Sequence, residues 1–280
     1  MIHLLMILMA LAISWGIRYS WVQCSDNWNK QWQRSLFFFV FPPLLIIMTA
    51  IALLYMGPQG RMFGLQTGCF SYVLALILLA VFAVICIKQA WQGWRSVKST
   101  RECPIVNLAG RQVRLLKTTA LFAGQIGFWQ PELVLSQGLL QTLSPEHLET
   151  VLAHEQGHYH YRDTFWFFWL GWVRTCTAWL PNTNALWQEL LVLRELRADA
   201  HAASQVDPLL LAESLVLVIS TPPVTSDICC AALAASSVDR LEQRIEALLA
   251  QPEPTSKFHF IYWISFLLAL LPLITVIFHS

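Results

Sequence analysis

Apolar residues fall into long blocks along this chain. Four stretches, 1–17, 36–55, 70–87 and 258–278, are almost free of charge. A helix needs about 20 apolar residues to cross a bilayer, so each is read as a membrane span, the first being the shortest. Pro42 and Pro43 are expected to kink or restart the second span near one end, and Pro272 lies in the fourth. Between the third and fourth spans the pattern becomes that of a water-facing domain. Residues 113–122 read as an extended run of β-branched and aromatic side chains, and 133–136 as a short second strand after Pro131, with Gly124 and Gly127 marking the loop between them. Ser144-Pro145-Glu146 is a helix start: Ser as N-cap, Pro in the first helical position, an acid in the first turn. That helix is predicted over 145–162, with Leu148, Val151 and Leu152 on one face. Residues 209–220 suit a buried helix ended by Pro222-Pro223, and 237–249 place Val238, Leu241, Ile245 and Leu248 on one face.

Composition agrees with this division. The 280 residues are 56% hydrophobic and 12% charged, with a mean hydropathy of +0.52, whereas soluble domains carry about 25% charge. A secreted disulfide scaffold, a disordered tail and an ordinary cytosolic enzyme are disfavoured. Residues 1–92 hold only Arg18, Asp26, Lys30, Arg34, Arg61 and Lys88; residues 258–280 hold no charge. The domain expectation is therefore three transmembrane helices in 1–92, a soluble domain in 93–257 and a fourth span in 258–280. A net charge of +1 gives no reason to expect a nucleic-acid partner.

Basic residues flanking the spans set the orientation. Arg18, Lys30 and Arg34 follow the first span, only Arg61 the second, and Lys88, Arg95, Lys98 and Arg101 the third. The first loop and the middle domain are expected in the cytoplasm, with the N-terminus and Ser280 outside. The first span lacks a basic leader and a clear cleavage site, so it is read as retained. The seven cysteines form no C-x-x-C pair and read as buried apolar residues of a reducing compartment; the vicinal Cys229-Cys230 also leaves metal binding or redox sensing open.

The chemistry concentrates in His154-Glu155-Gln156-Gly157-His158. Residues i and i+4 share a helix face, so both imidazoles can reach one metal. Zinc takes nitrogen ligands at about 2.0–2.1 Å and in catalytic sites keeps a position for water, whose proton Glu155 can accept. Glu195 and Asp199 repeat the i, i+4 spacing downstream. Two unpaired carboxylates against an apolar core are costly, and a dication removes that cost. Glu195 is the expected third ligand, and Asp199 the acceptor for the free N–H of a ligand histidine. Arg194 and Arg197 alongside also allow a solvated charged face.

These residues, with the run 131–135 and Arg162-Asp163, resemble the membrane zinc peptidases that use Glu as third ligand. The likeness covers about 105–250, including 237–249 as a closing helix. Two branches fit: the BlaR/MecR type, which cleaves a transcriptional repressor of the BlaI/MecI type in the cytoplasm, and the HtpX type, which degrades damaged membrane proteins. Four spans with the peptidase between the third and fourth, and an outside N-terminus, resemble the first. BlaR proteins carry a large sensor domain after the last span; these 280 residues hold none, so direct β-lactam recognition is not expected.

The sequence reading is therefore a mainly α membrane protein. It has four transmembrane helices and a cytoplasmic, mostly helical zinc-peptidase domain with a small β-sheet. Zn²⁺ is the cofactor; a protein substrate and the lipid bilayer are the partners. The expected roles are His154, His158 and Glu195 as ligands, Glu155 as base, and Asp199 orienting a ligand histidine. The run 113–122 is expected to pair with an extended substrate. The aromatic segment 164–180 is read as interfacial or re-entrant, because one crossing would separate His154 from Glu195. His147 is expected to be exposed, Asp163 to close its helix or pair locally, and Tyr159, His160 and His201 are candidates for stabilising an oxyanion. A housekeeping protease and a non-catalytic receptor stapled by zinc are the competing readings, the latter disfavoured by the intact Glu155.

Overall fold

A computed structural model describes residues 2–23, 28–58, 61–62, 65–66, 69–108, 110–219, 240–250, 264 and 266–278. In chain order the main elements are α1 (Ile2–Tyr19), α2 (Trp28–Met56), β1 (Arg61–Met62), β2 (Leu65–Gln66), α3 (Cys69–Arg101), β3 (Ile105–Leu108), β4 (Arg111–Leu116), β5 (Ala123–Ile126) and β6 (Glu132–Ser136). There follow α4 (Gln137–Thr142), α5 (Pro145–His160), α6 (Asp163–Cys176), α7 (Thr183–Ala203), α8 (Pro208–Ile219) and α9 (Leu241–Leu249). The chain divides into two compact units. One comprises Met1–Lys88, Leu170–Leu190 and Pro254–Ser280; the other comprises Gln89–Trp169 and Leu191–Glu253.

The first unit is the apolar one. Among the described residues, α2 and α3 are the two helices long and apolar enough to cross a membrane; α1 is apolar but shorter. Four crossing helices are therefore an expectation that the structure meets in part. Residues 258–263 and 265 of the fourth expected span lie outside the described residues, and the remainder includes a short helix, Leu271–Ile274. Cys24 and Cys229-Cys230 also lie outside them.

Pro42 and Pro43 do not end α2, which runs through both. The reason is visible on α1. Pro43 has no N–H, so the carbonyl of Phe39, four residues back, loses its helical donor. Arg18 Nη2 donates to that carbonyl at 3.0 Å, and Ser14 Oγ donates to the carbonyl of Pro42 at 3.1 Å. Arg18 belongs to α1 and is fully buried, where the sequence reading placed it in a loop. Its Nη1 reaches Thr183 Oγ1 at 3.1 Å, and its charge lies 5.0 Å from the centre of the Phe39 ring.

The second unit holds a four-stranded sheet in the order β3-β4-β6-β5. β4 and β6 are parallel, with Leu115 opposite Leu135; β3–β4 and β5–β6 are antiparallel, with Val106 opposite Val113 and Gly124 opposite Val134. This corrects the sequence reading in two ways. The extended run stops at Leu116, and 123–126, expected as loop, is an edge strand. Gly124 and Gln125 carry weak strand preference, but pairing with the buried strand β6 supplies what propensity does not. β4 has partners on both sides, so it cannot receive a substrate strand as expected from sequence.

Under the sheet, Val113, Leu135, Leu139, Leu143, Val151 and Leu152 form one buried cluster that seats α4 and α5. Ser144 caps α5 as predicted, its Oγ accepting from the His147 backbone N–H at 3.3 Å. A second cluster, Ala153, Ala202, Leu211, Ala212 and Leu248, joins α5, α7, α8 and α9. Both apolar seats hold α5 through Val151, Leu152 and Ala153, immediately before the motif.

Candidate metal centre

His154 and His158 occupy successive turns of α5, with Glu155 next to His154, and Glu195 and Asp199 occupy successive turns of α7. The helices meet at Gly157 and Ala198. A Cβ on Gly157 would lie 3.0 Å from Ala198 Cα and 3.1 Å from its carbonyl oxygen. Gly157 thus permits the approach that brings the α7 carboxylates to the α5 imidazoles. Gly157→Ala is expected to push α7 away and to cost about 1–3 kcal/mol, with weaker zinc binding. Thermal melting with and without zinc checks this; two unchanged midpoints would refute the contact.

His154 Nε2 lies 3.1 Å from His158 Nε2 and 3.4 Å from Glu195 Oε2, while His158 Nε2 lies 3.7 Å from Glu195 Oε1. Tetrahedral zinc with ligands at about 2.0–2.1 Å requires donor atoms roughly 3.3–3.4 Å apart, so the spacing suits such an ion. The three ligand atoms also lie within 4.8 Å of one another as a group. Each imidazole faces a carboxylate through Nδ1, leaving Nε2 for the metal. His158 Nδ1 lies 2.7 Å from Asp163 Oδ2 in a hydrogen bond, and His154 Nδ1 lies 2.8 Å from Asp199 Oδ1. The second contact is close but poorly aligned, since His154 Nδ1 remains among the buried atoms without a hydrogen-bond partner.

Charges around the site are compensated one by one. Arg197 pairs with Asp163, and its guanidinium lies 4.2 Å from the centre of the Tyr161 ring. Arg194 donates to Glu195 Oε1 from Nε at 2.9 Å and from Nη2 at 2.5 Å. Arg244, from α9, grips Asp199 with Nε at 2.7 Å and Nη2 at 2.8 Å. Burial alone would raise the pKa of Glu195, but Arg194, His158, His154 and Arg244 hold it well below the usual carboxylate range. Asp199 is likewise lowered against its burial, chiefly by Arg244 and His154. Glu155 is 6% exposed, and its Oε2 is buried without a hydrogen-bond partner. A carboxylate oxygen left this way is costly unless it has work with a ligand.

Burial lowers the pKa of His154, but Asp199 and Glu195 outweigh it, and the metal-free ring is pushed up to about 10. Below that value the proton must leave before a metal binds, so zinc affinity rises with pH across the neutral range, by up to about tenfold per unit. A chelator-competition series at pH 6, 7 and 8 measures it; a flat series would remove His154 from the ligand set.

The structure brings together all five residues expected from sequence: His154, Glu155, His158, Glu195 and Asp199. Asp163, expected only to close its helix or pair locally, holds His158. Arg244 was missed, and so were the roles of Arg194 and Arg197. A buried arginine 45 positions from its partner has no local sequence signal. His147, expected exposed, is partly buried, with Nδ1 2.7 Å from Ser144 Oγ and Nε2 3.5 Å from Glu213. His160 stacks on His201 at 4.8 Å, Gln205 Nε2 lies 2.9 Å from His201 Nε2, and Tyr159 is exposed.

Residues 106–212 match the family model described as peptidase family M48. The match covers less than half of the chain, and it supports a metallopeptidase, a hydrolase whose family implies zinc. It contains the three candidate ligands, Glu155, Asp163 and Asp199, and stops before Arg244. No curated protein and no solved structure gives a significant match.

Proposed function

We propose that this protein is a membrane-embedded zinc endopeptidase. The observation that carries this is the convergence of His154, His158 and Glu195 at tetrahedral donor spacing beside the unpartnered Oε2 of Glu155. Zinc held there would polarise a peptide carbonyl and lower the pKa of water toward 7. Glu155 accepts the proton of the attacking water and returns it to the leaving amine. Asp163 and Asp199 hold the imidazoles with Nε2 turned inward. The substrate strand is placed on β5 instead of β4. β5 pairs only with β6 among the described residues, and Gln125 donates to the backbone carbonyl of Glu155 at 3.3 Å. An extended peptide added along this edge would pass the base.

The finer proposal is a signalling protease that cleaves a cytoplasmic repressor. It is supported by the BlaR/MecR-like motif run, by apolar helices that precede the peptidase domain, and by basic residues after the third apolar stretch, the pattern expected of a cytoplasmic side. Purified full-length protein should carry about one zinc per chain, and a chelator should stop cleavage of a co-expressed repressor substrate and of an unfolded reporter alike. Protein that carries no zinc would refute the metal reading. Turnover of misfolded membrane proteins with no repressor cut would favour housekeeping.

A further inference from the structure

Glu195 and Asp199 stand one turn apart on α7, and both carboxylates are largely removed from water. Like charges so placed repel and would drive their side chains apart. A single guanidinium bridges them. Arg244 Nε and Nη2 take both oxygens of Asp199, and Nη1 lies 3.4 Å from Glu195 Oε2. The same Asp199 Oδ1 faces His154 Nδ1, and the same Glu195 Oε2 faces His154 Nε2. Both edges of one ligand ring are thus referred to one planar, rigid group. Arg244 is itself 4% exposed, so these carboxylates are what its buried charge has been given.

We propose that Arg244 is a positioning residue. Its guanidinium sets the separation of Glu195 and Asp199, so that Glu195 and His154 present their donor atoms to the same metal. The centre is then completed by α9, a helix beyond the span that matches the peptidase family. This inference rests on the zinc reading. The competing role is simple anchorage of α9, which Leu248 of the apolar cluster also provides.

Cobalt(II) titration of metal-free, full-length protein separates the two, because the visible bands report coordination independently of activity. Wild type should bind one cobalt. Arg244→Met and Arg244→Lys should each bind about 10–100-fold more weakly with altered bands, since lysine keeps the charge and loses the fork. Leu248→Ala, which loosens α9 and keeps Arg244, should bind as wild type does. If the Met variant does not fold, the Lys variant alone decides. Wild-type affinity and bands in the folded Arg244 variants would overturn the assignment, as would an equal loss in Leu248→Ala. Wild type without cobalt would overturn the metal centre itself, and this role with it.

Discussion

Replacing Glu155 with Gln should lower peptide hydrolysis by about 10²–10⁴-fold while zinc remains at one per chain. The substitution keeps size and shape at a site that is 6% exposed, so the local packing is retained. Glu155 is not among the three converging ligands, so the metal has no reason to leave. What is lost is the basicity of a carboxylate whose Oε2 is buried without a hydrogen-bond partner. Metal analysis and reporter cleavage on the same preparation give the answer. Undiminished cleavage would remove Glu155 as the base; lost zinc together with lost cleavage would show that it acts through the metal's binding.

The second large effect is on stability. Asp199→Ala should cost about 3–5 kcal/mol, because removing one member of a buried ion pair strands the other. The side chains of Asp199 and Arg244 retain 2% and 5% of their exposure, so water cannot replace the lost partner. Glu195 Oε2, at 3.4 Å, offsets only part of that loss. Zinc affinity should fall about 10–100-fold as His154 loses its facing carboxylate. The double variant Asp199→Ala, Arg244→Met should regain part of the stability, since it removes both buried charges. Denaturant unfolding of wild type, Asp199→Ala, Arg244→Met and the double variant measures the coupling. A single variant within about 1 kcal/mol of wild type would mean the pair is better hydrated than its burial indicates.

Much of the centre was legible because its information is local. The i, i+4 spacing of His154 and His158, and of Glu195 and Asp199, follows from helix geometry alone. Ser144 before Pro145 marks the start of α5 for the same reason. The sheet was less legible. Ile105–Leu108 and Ala123–Ile126 are strands because β4 and β6 lie beside them, and pairing partners far apart in sequence leave no periodic mark on a four-residue segment. The prolines of α2 do not restart the helix, the second of the two expected outcomes, for a related reason: the orphaned carbonyl of Phe39 is satisfied by Arg18 from another helix.

By itself, the sequence pointed to the kind of chemistry, to the three candidate ligands and the candidate base, and to the division into apolar blocks and one charged domain. These depend on side-chain identity and short-range spacing, which a chain carries without folding. Tertiary structure alone decided which carboxylate faces which imidazole, that β5 and not β4 offers the open edge, and that a buried arginine from α9 joins Glu195 to Asp199. Those relations come from the close approach of α5 and α7 at Gly157 and from packing of helices distant in the chain. They exist only once the intervening apolar surfaces have been buried.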